Sequence, residues 1–133
     1  FGNGKWNGFG GKLEPGESFR ECAVRELYEE VSLLAEPEAL EYMGFLDFHF
    51  TAAPAADHIT YIYFVKTWTG NATESEEMEP RFFAVDQLPY DRMWQGDRVW
   101  LPRLIKGERI KGRVIFAPDG ETVQSLEIKE DRQ

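Results

Sequence analysis

The sequence predicts an α/β fold of the α+β type, in which a mixed β-sheet packs between helices. The chain has 133 residues, the usual size of one domain, so a single domain over residues 1–133 is expected. One segment has the apolar spacing of an amphipathic helix, and several others are rich in the aromatic and β-branched residues that favour strands. Because these segments follow each other without a regular βαβ rhythm, a mixed sheet is expected.

The first helix is predicted over residues 19–33. Ser18 is a good N-cap and Glu21 follows it by three residues, so the two are expected to form a capping box. Apolar side chains recur at helical spacing and predict the buried face of this helix: Phe19, Cys22, Ala23 and Leu27. Cys22 is therefore expected in the core.

The remaining elements are predicted as strands and a second helix. Strands are expected at residues 41–50, 59–69 and 81–85, with a hairpin loop at 51–57 and a terminal hairpin at 112–117 and 122–129. Asp97 is expected to cap a helix over residues 98–106. Pro102 should distort this helix because proline lacks a backbone N–H.

Composition and charge argue against several classes of protein. The chain has 15 Lys and Arg against 24 Asp and Glu, a net charge of −9, so tight binding to duplex nucleic acid is not expected. A small polyanionic substrate remains compatible if divalent cations mediate the contact. The longest uncharged stretch, residues 48–56, falls short of the ~20 residues of a membrane span. The single cysteine excludes an internal disulfide and favours a reducing compartment such as the cytoplasm.

The strongest functional signal is a group of three glutamates on the first helix. Glu26, Glu29 and Glu30 are spaced by three and four residues, so their Cβ atoms share one helix face within ~5–6 Å. Like charges repel there, and the helix macrodipole disfavours anions towards its C-terminus. A divalent cation removes this penalty, because Mg²⁺ and Mn²⁺ select oxygen ligands. The alternative is a solvated acidic face; the adjacent Arg25 and the glycine-rich residues 1–11 favour the metal site.

The same segment resembles the Nudix box, which marks hydrolases of nucleoside diphosphates linked to another group. The matching pattern is Gly-x5-Glu-x7-Arg-Glu-Leu-x-Glu-Glu, which starts at Gly11 and ends at Glu30. The resemblance implies the Nudix fold, Mg²⁺ as the cofactor and Mn²⁺ as its alternative. Ser32 stands where the box usually has glycine. If this position needs a positive φ, serine costs ~1 kcal/mol or somewhat more, and a changed turn rather than lost chemistry is expected.

The resemblance extends to MutT homologues that hydrolyse oxidised purine nucleoside triphosphates such as 8-oxo-dGTP. It is carried by residues 4–12, 74–80, 88–97 and 100–102. The resemblance implies a base pocket with these residues, the last at its edge: Asn7, Phe48, Trp94, Asp97 and Phe1. These homologues have two adjacent acids where this chain has Gly96 followed by an acid, which leaves the base preference open. Their first strand would precede Phe1, so that strand is expected to be missing from this chain.

The resemblance also implies roles in catalysis. The carbonyl of Gly11 and four carboxylates would hold one to three metal ions: Glu26, Glu29, Glu30 and Glu77. One of these glutamates would take a proton from the attacking water, and the sequence does not choose among them. Arg25 would pair with Glu17 and position the carboxylates, while Lys12 would contact phosphate. The expected products are a nucleoside monophosphate and pyrophosphate.

Several of these residues have a structural alternative. Trp94 and Phe48 are also typical of core aromatics, Asp97 of a helix cap, Asn7 of a loop and Glu77 of a solvated acidic loop. His49 and His58 lack metal-ligand spacing and are expected to be structural.

Three functions remain open at this stage. They are an oxidised-purine triphosphatase, a Nudix hydrolase of another substrate (ADP-ribose, a dinucleoside polyphosphate or an undamaged nucleotide), and a silent nucleotide-binding module. The expected partner is a small nucleotide, with neither duplex nucleic acid nor membrane, and the family default is a monomer.

Overall fold

The computed structural model describes residues 13–73, 83–93 and 96–131, which contain two α-helices and four strands. The helices are α1 (Phe19–Val31) and α2 (Asp97–Ile105). The strands are β1 (Leu40–Phe50), β2 (His58–Val65), β3 (Ile110–Phe116) and β4 (Val123–Glu130). They form a sheet in the order β2-β1-β3-β4, with β1 parallel to β3 and β3 antiparallel to β4. The predicted mixed sheet is therefore confirmed.

The described residues fall into two compact units. The helix unit contains residues 13–41, 63–73 and 83–84, and the sheet unit contains residues 42–62, 85–93 and 96–131. The expectation of one domain over the whole chain stays a prediction. Within the described part of the chain, no helix is long and apolar enough to cross a membrane.

The core of the helix unit forms beneath one face of α1. Its buried residues are Leu27, Val31, Leu33, Ala35 and Leu40. Tyr63 and Val65 of β2 pack against this cluster. Cys22 is buried as predicted, but Phe19 is 46% exposed, so its place on the buried face was wrong. Phe19 is the first residue of α1 and is not part of the buried cluster that contains Leu27 and Val31.

The core of the sheet unit depends on alternation along β1 and β3. Ile110, Val114 and Phe116 are buried, while Lys111 and Arg113 between them are exposed, which is the two-residue period of a strand. At Gly44 of β1, φ is 126° and the backbone lies against the carbonyl oxygen of Ile110. A Cβ atom at Gly44 would overlap that oxygen, so the β1–β3 pairing requires glycine there.

The element boundaries differ from the prediction in four places. The helix α1 ends at Val31, and β2 ends at Val65 instead of Thr69, which forms an isolated bridge with Leu34. The strand expected over residues 81–85 is absent from its described part, residues 83–85, where a 3-10 turn begins at Val85. The N-cap of α2 is Gly96, without a side-chain hydrogen bond, so Asp97 is the first helical residue and not the cap.

The terminal hairpin is confirmed with small shifts of its ends. Strand β3 begins at Ile110 and pairs with β4 around the predicted Asp119-Gly120 turn. One Asp119 carboxylate oxygen accepts the backbone N–H groups of Glu121 and Thr122 at 2.9 and 2.8 Å. Gly120 has φ 73°, a conformation that glycine adopts without steric cost.

Candidate active site

A tight turn before α1 presents the first carboxylate of the site. Pro15 and Gly16 occupy its centre, Gly16 has φ 81°, and the Glu17 N–H donates to the Glu14 carbonyl at 3.1 Å. Proline followed by a glycine with positive φ is the sequence that a type II turn favours. The Glu17 side chain accepts back from the Glu14 N–H at 3.0 Å, which fixes its direction towards α1.

Helix α1 begins as predicted and carries the remaining carboxylates. The Ser18 hydroxyl accepts from the Glu21 N–H at 3.1 Å, and the Glu21 carboxylate accepts from the Ser18 N–H at 2.8 Å. This capping box satisfies two backbone donors that the first turn leaves open. The helix therefore starts at a defined residue, and that start sets which residues share its faces.

Arg25 joins the turn to the helix glutamates. Its Nε and Nη2 atoms donate to the two oxygens of Glu17 at 2.7 and 3.0 Å, the paired geometry that guanidinium and carboxylate favour. Its Nη1 atom donates to Glu26 at 2.7 Å and to Glu29 at 3.1 Å, and lies 3.6 Å from a Glu14 oxygen. The predicted Arg25–Glu17 pairing forms, and Arg25 also contacts three more carboxylates.

The charges in this network shift the protonation of its members. The hydrogen bonds from Arg25 lower the pKa of Glu17 to about 2, and the carboxylate in turn raises the pKa of Arg25. Burial, aided by the negative charge of Glu17, raises the pKa of the Cys22 thiol. Glu17 is therefore ionised at any pH at which the protein would work.

The three helix glutamates differ in exposure. The Glu26 side chain is 16% exposed, that of Glu29 is 57% exposed, and Glu30 is half-buried with its Oε2 atom enclosed. Carboxylate oxygens on one helix face are the hard donors that Mg²⁺ and Mn²⁺ prefer. The donor set therefore fits a divalent cation in chemistry.

The described residues do not hold these donors in a closed metal geometry. Among residues 13–73, 83–93 and 96–131, no three His, Cys, Asp or Glu side chains come close enough to share one metal ion. The Nη1 atom of Arg25 bonds both Glu26 and Glu29 in this arrangement. Metal binding to these two glutamates would have to compete with that nitrogen.

The end of α1 keeps the left-handed conformation that glycine favours, so the changed turn that was expected at Ser32 is not found. Ser32 has φ 64° and ψ 20°, and its N–H donates to the Tyr28 carbonyl at 2.8 Å, so the residue closes the helix in the left-handed conformation. The Thr73 hydroxyl donates to the Ser32 hydroxyl at 2.8 Å, and the Thr73 N–H donates to the Val31 carbonyl at 2.9 Å. The Nudix-box turn thus forms in the conformation that usually favours glycine.

Two of the expected base-binding residues lie in the sheet unit. Phe48 of β1 is half-buried and stacks on Phe116, with ring centroids 6.0 Å apart, and tilts against His58 at 5.2 Å. Asp97 is 8% exposed at the start of α2. At Gly96 φ is −74°, and an added Cβ atom would make only ordinary contacts with Val123 and Trp100. The backbone there does not require glycine.

Six of the predicted site residues lie outside the described residues. They are Phe1, Asn7, Gly11, Lys12, Glu77 and Trp94. Their roles stay predictions.

Sequence reasoning missed two side-chain groups that the structure brings together. Glu14 contacts Arg25 of α1, and Thr73 contacts Ser32 at the end of α1. Only the Pro15-Gly16 turn gave a signal for Glu14. In the sheet unit, His49 lies between two aspartates, with Nδ1 3.0 Å from Asp57 and Nε2 3.1 Å from Asp47. The His–Asp spacings carry no recognised pattern in the sequence.

The NUDIX domain profile matches residues 1–104, so the chain belongs to the Nudix family and is a Nudix hydrolase. Hydrolases of this family generally require a divalent metal ion, usually Mg²⁺.

Individual relatives narrow the comparison. The chain is 37% identical over 130 residues to the oxidized purine nucleoside triphosphate hydrolase of Mus musculus, covering 98% of this chain and 81% of the relative. It is 37% identical over 116 residues to the Danio rerio protein of the same name, covering 87% and 72%. The crystal structure of a MutT protein from Bacillus halodurans matches with a TM-score of 0.81 at 22% identity, over 94% of this chain and 82% of that one. The last comparison confirms the fold.

Proposed function

We propose that this chain hydrolyses oxidised purine nucleoside triphosphates of the 8-oxo-dGTP type to the monophosphate and pyrophosphate. The observation that carries the proposal is the 37% identity, across 98% of this chain, to a mouse relative named for that activity. The capped helix with Arg25 among its glutamates supports it, because the relevant side chains are present and ordered by one guanidinium. Such an activity removes damaged nucleotides from the pool that supplies DNA synthesis.

The carboxylates of α1 are assigned to the triphosphate end of the substrate. We assign the metal-holding role to Glu26, Glu29 and Glu30, with the Gly11 carbonyl and Glu77. Bound Mg²⁺, or Mn²⁺ in its place, would neutralise the phosphate oxygens that otherwise repel a nucleophile and would orient the attacking water.

Protein groups supply the remaining functions at that end. One of the four glutamates accepts the proton of the water. Arg25 and Glu17 position the helix carboxylates through their paired hydrogen bonds. Lys12 is assigned to a phosphate oxygen.

The base end is assigned to a second set of residues. Stacking is assigned to Trp94, with Phe48 beside the base and Phe1 at the edge, and polar recognition to Asn7 and Asp97. An ionised carboxylate accepts only, so it selects purine edges that present donors. Oxidation at C8 turns N7 from an acceptor into a donor, which gives a suitably placed acceptor a means to favour the damaged base.

A second candidate is a Nudix hydrolase of another substrate, such as ADP-ribose, a dinucleoside polyphosphate or an undamaged nucleotide. Gly96 favours it, because an acid occupies that position in the resembled enzymes and the local backbone would accept a side chain. Ser32 was one argument for a silent nucleotide-binding module, but Ser32 keeps the helix-ending conformation.

A substrate panel separates these candidates. Pyrophosphate release with Mg²⁺ is measured for 8-oxo-dGTP, 2-hydroxy-dATP and dGTP, and phosphate-bond cleavage for ADP-ribose. We expect the highest kcat/KM with an oxidised purine. A higher value with dGTP or ADP-ribose would replace the proposal with the second candidate, and no turnover of any of them would leave the binding module.

Asp97→Asn tests base recognition in the same assay. Because the N-cap of α2 is Gly96, the exchange at Asp97 does not change the cap residue. We expect the ratio of kcat/KM for 8-oxo-dGTP over dGTP to fall while turnover of dGTP persists. An unchanged ratio would remove Asp97 from the base site.

The finer points of location and assembly rest on the sequence alone. We propose a cytoplasmic protein, from its single cysteine, and a monomer, from the family default. Sedimentation at micromolar concentration tests the second point.

A further inference from the structure

We propose that Ser32 is a positioning residue for the catalytic helix, acting through its hydrogen bond with Thr73. The inference rests on the proposed metal role of Glu29 and Glu30. Ser32 follows Glu30 by two residues and ends α1, so the path of the chain at Ser32 fixes the last turn, which carries both glutamates. At this helix end the hydroxyl oxygens of Ser32 and Thr73 lie 2.8 Å apart.

The residues after the helix hold its end from one side. The Thr73 N–H donates to the Val31 carbonyl at 2.9 Å, and Leu34 and Thr69 exchange both backbone hydrogen bonds, at 3.0 and 2.8 Å. A Cβ atom on Gly70 would lie 3.0 Å from the Ser32 carbonyl oxygen, so the segment passes close to the helix end. These contacts belong to the backbone and would persist whichever side chain stood at position 32.

The hydroxyl pair adds a side-chain bond to this backbone frame. Glycine at position 32 would adopt φ 64° without steric cost but would offer no acceptor to Thr73. Serine carries the conformational cost and gains the bond. The exchange is expected to trade some stability of the helix end for a fixed orientation of the turn that bears Glu29 and Glu30.

This trade makes stability and metal affinity move in opposite directions. Ser32→Gly relieves the left-handed strain, so its melting temperature without metal should equal or exceed that of the wild type. The same exchange removes the hydroxyl, so its Mg²⁺ dissociation constant should rise by up to about 10-fold, the lower end of the effect of groups that bond metal ligands directly. If Ser32 has a merely structural role, Ser32→Gly should lower both the melting temperature and the Mg²⁺ affinity, or change neither.

Thr73 supplies the matched variants. Thr73→Val removes the hydroxyl at constant volume and should raise the Mg²⁺ dissociation constant as Ser32→Gly does. Thr73→Ser keeps the hydroxyl and should have the wild-type Mg²⁺ dissociation constant. The combined Ser32→Gly, Thr73→Val variant should lose no more than either alone, because both remove one bond. Thr67→Val, the same exchange at an exposed position of the chain, serves as the control.

The experiment is calorimetric titration of Mg²⁺ into each nucleotide-free variant, with thermal melts in metal-free buffer and nucleotide hydrolysis at saturating Mg²⁺. Weaker Mg²⁺ binding in Ser32→Gly and Thr73→Val, with Thr73→Ser and Thr67→Val like the wild type, supports the inference. Wild-type affinity in the first two variants, in a chain that binds Mg²⁺ and hydrolyses nucleotides, would overturn the inference alone. A wild-type chain that does neither would remove the proposed function as well.

Discussion

Arg25 pairs with carboxylates both in the turn before α1 and on the helix itself. Its Nε and Nη2 atoms hold Glu17, which leaves Nη1 to bond Glu26 and Glu29. A planar guanidinium can serve these directions at once, whereas a lysine ammonium is a single point of charge. The side chains that carry the proposed chemistry are therefore ordered by a residue that itself contacts no substrate in the proposal.

Glu30→Gln tests the metal role of one glutamate. Glu30 is half-buried beside other carboxylates, so loss of its charge relieves repulsion and removes a proposed ligand. We expect kcat to fall at least about 100-fold, the scale for loss of a group that stabilises transition-state charge. The metal-free melting temperature should stay equal or rise slightly. Exposed Glu36→Gln is the control, and full activity in Glu30→Gln would contradict the assignment.

Glu17→Gln tests the Arg25 pairing through pH. The pKa of Glu17 is about 2 in the folded protein against 4.5 as the ordinary value, so the ionised form stabilises the fold above pH 4.5 and this contribution disappears as pH falls towards 2. We expect the gap in urea midpoint between wild type and Glu17→Gln to be full at pH 7 and to narrow between pH 4.5 and 3. A constant gap over that range would show that the carboxylate charge is not what stabilises the pair.

The pairing of β1 with β3 includes a close backbone contact at Gly44. Gly44 brings β1 against β3 at Ile110, where the parallel pairing of the two strands begins. The glycine serves both a positive φ and a close approach, and the two requirements can be separated by substitution.

Gly44→Ala should unfold or severely destabilise the protein. The new methyl would overlap the Ile110 carbonyl oxygen, which is backbone and cannot turn aside. Gly107→Ala is the matched control, because Gly107 also has a positive φ (91°) but has open space around it, and should cost only ~1 kcal/mol. Urea denaturation measures both. Equal losses would mean that backbone conformation alone accounts for the need for glycine at position 44.

The loop between β1 and β2 is held by a histidine between acids. Asp57 accepts from the Phe50 N–H at 2.7 Å and contacts His49. Hydrogen bonds that the His49 ring donates to the Asp47 and Asp57 carboxylates raise the pKa of His49, against the opposing effects of burial and Arg113. Because the pKa of His49 is raised in the folded protein, the protonated ring stabilises the fold below pH 6.5. This stabilisation is lost as pH rises through the pKa of the folded state. His49→Gln should therefore destabilise the protein more at pH 6 than at pH 9. Equal destabilisation at the two pH values would contradict this.

At the element scale, the sequence predicted what local rules decide. The capping box and the terminal hairpin each depend on residues within a few positions of one another. Contacts between distant residues escaped prediction, because neither the Thr73–Ser32 bond nor the Asp57 contact with the β1 backbone follows from periodicity. The prediction for Phe19 was wrong for a related reason: helical spacing gave it a place on the buried face, but spacing does not show how far along the helix that face is covered.

The candidate site was predictable to the same depth. The shared face of the three helix glutamates followed from spacing, and the Arg25–Glu17 pair, which the family resemblance implied, forms. Helical spacing allows the Arg25–Glu29 pair, because the two residues are four positions apart, but it does not predict the bond to the adjacent Glu26, which depends on side-chain rotamers.

The whole molecule carries a net charge of −9, which repels the polyanion that it is proposed to hydrolyse. Mg²⁺ should therefore bind the folded protein and reduce the repulsion as well as serve the site. We expect millimolar Mg²⁺ to raise the melting temperature of the wild type, because a ligand that binds only the folded chain stabilises it. Glu30→Gln should show a smaller rise at equal ionic strength. No rise in the wild type at millimolar Mg²⁺ would count against a metal site in the free protein.

The rate at which the buried Cys22 is labelled can report how often helix α1 opens. Cys22 is the chain's one thiol, it is 7% exposed, and its raised pKa keeps the reactive thiolate scarce. A thiol reagent can therefore react at speed only in molecules whose α1 has opened, and the rate of labelling reports how often that happens. No cysteine has to be engineered, so the opening of the wild-type helix can be timed with and without Mg²⁺ in the unaltered chain.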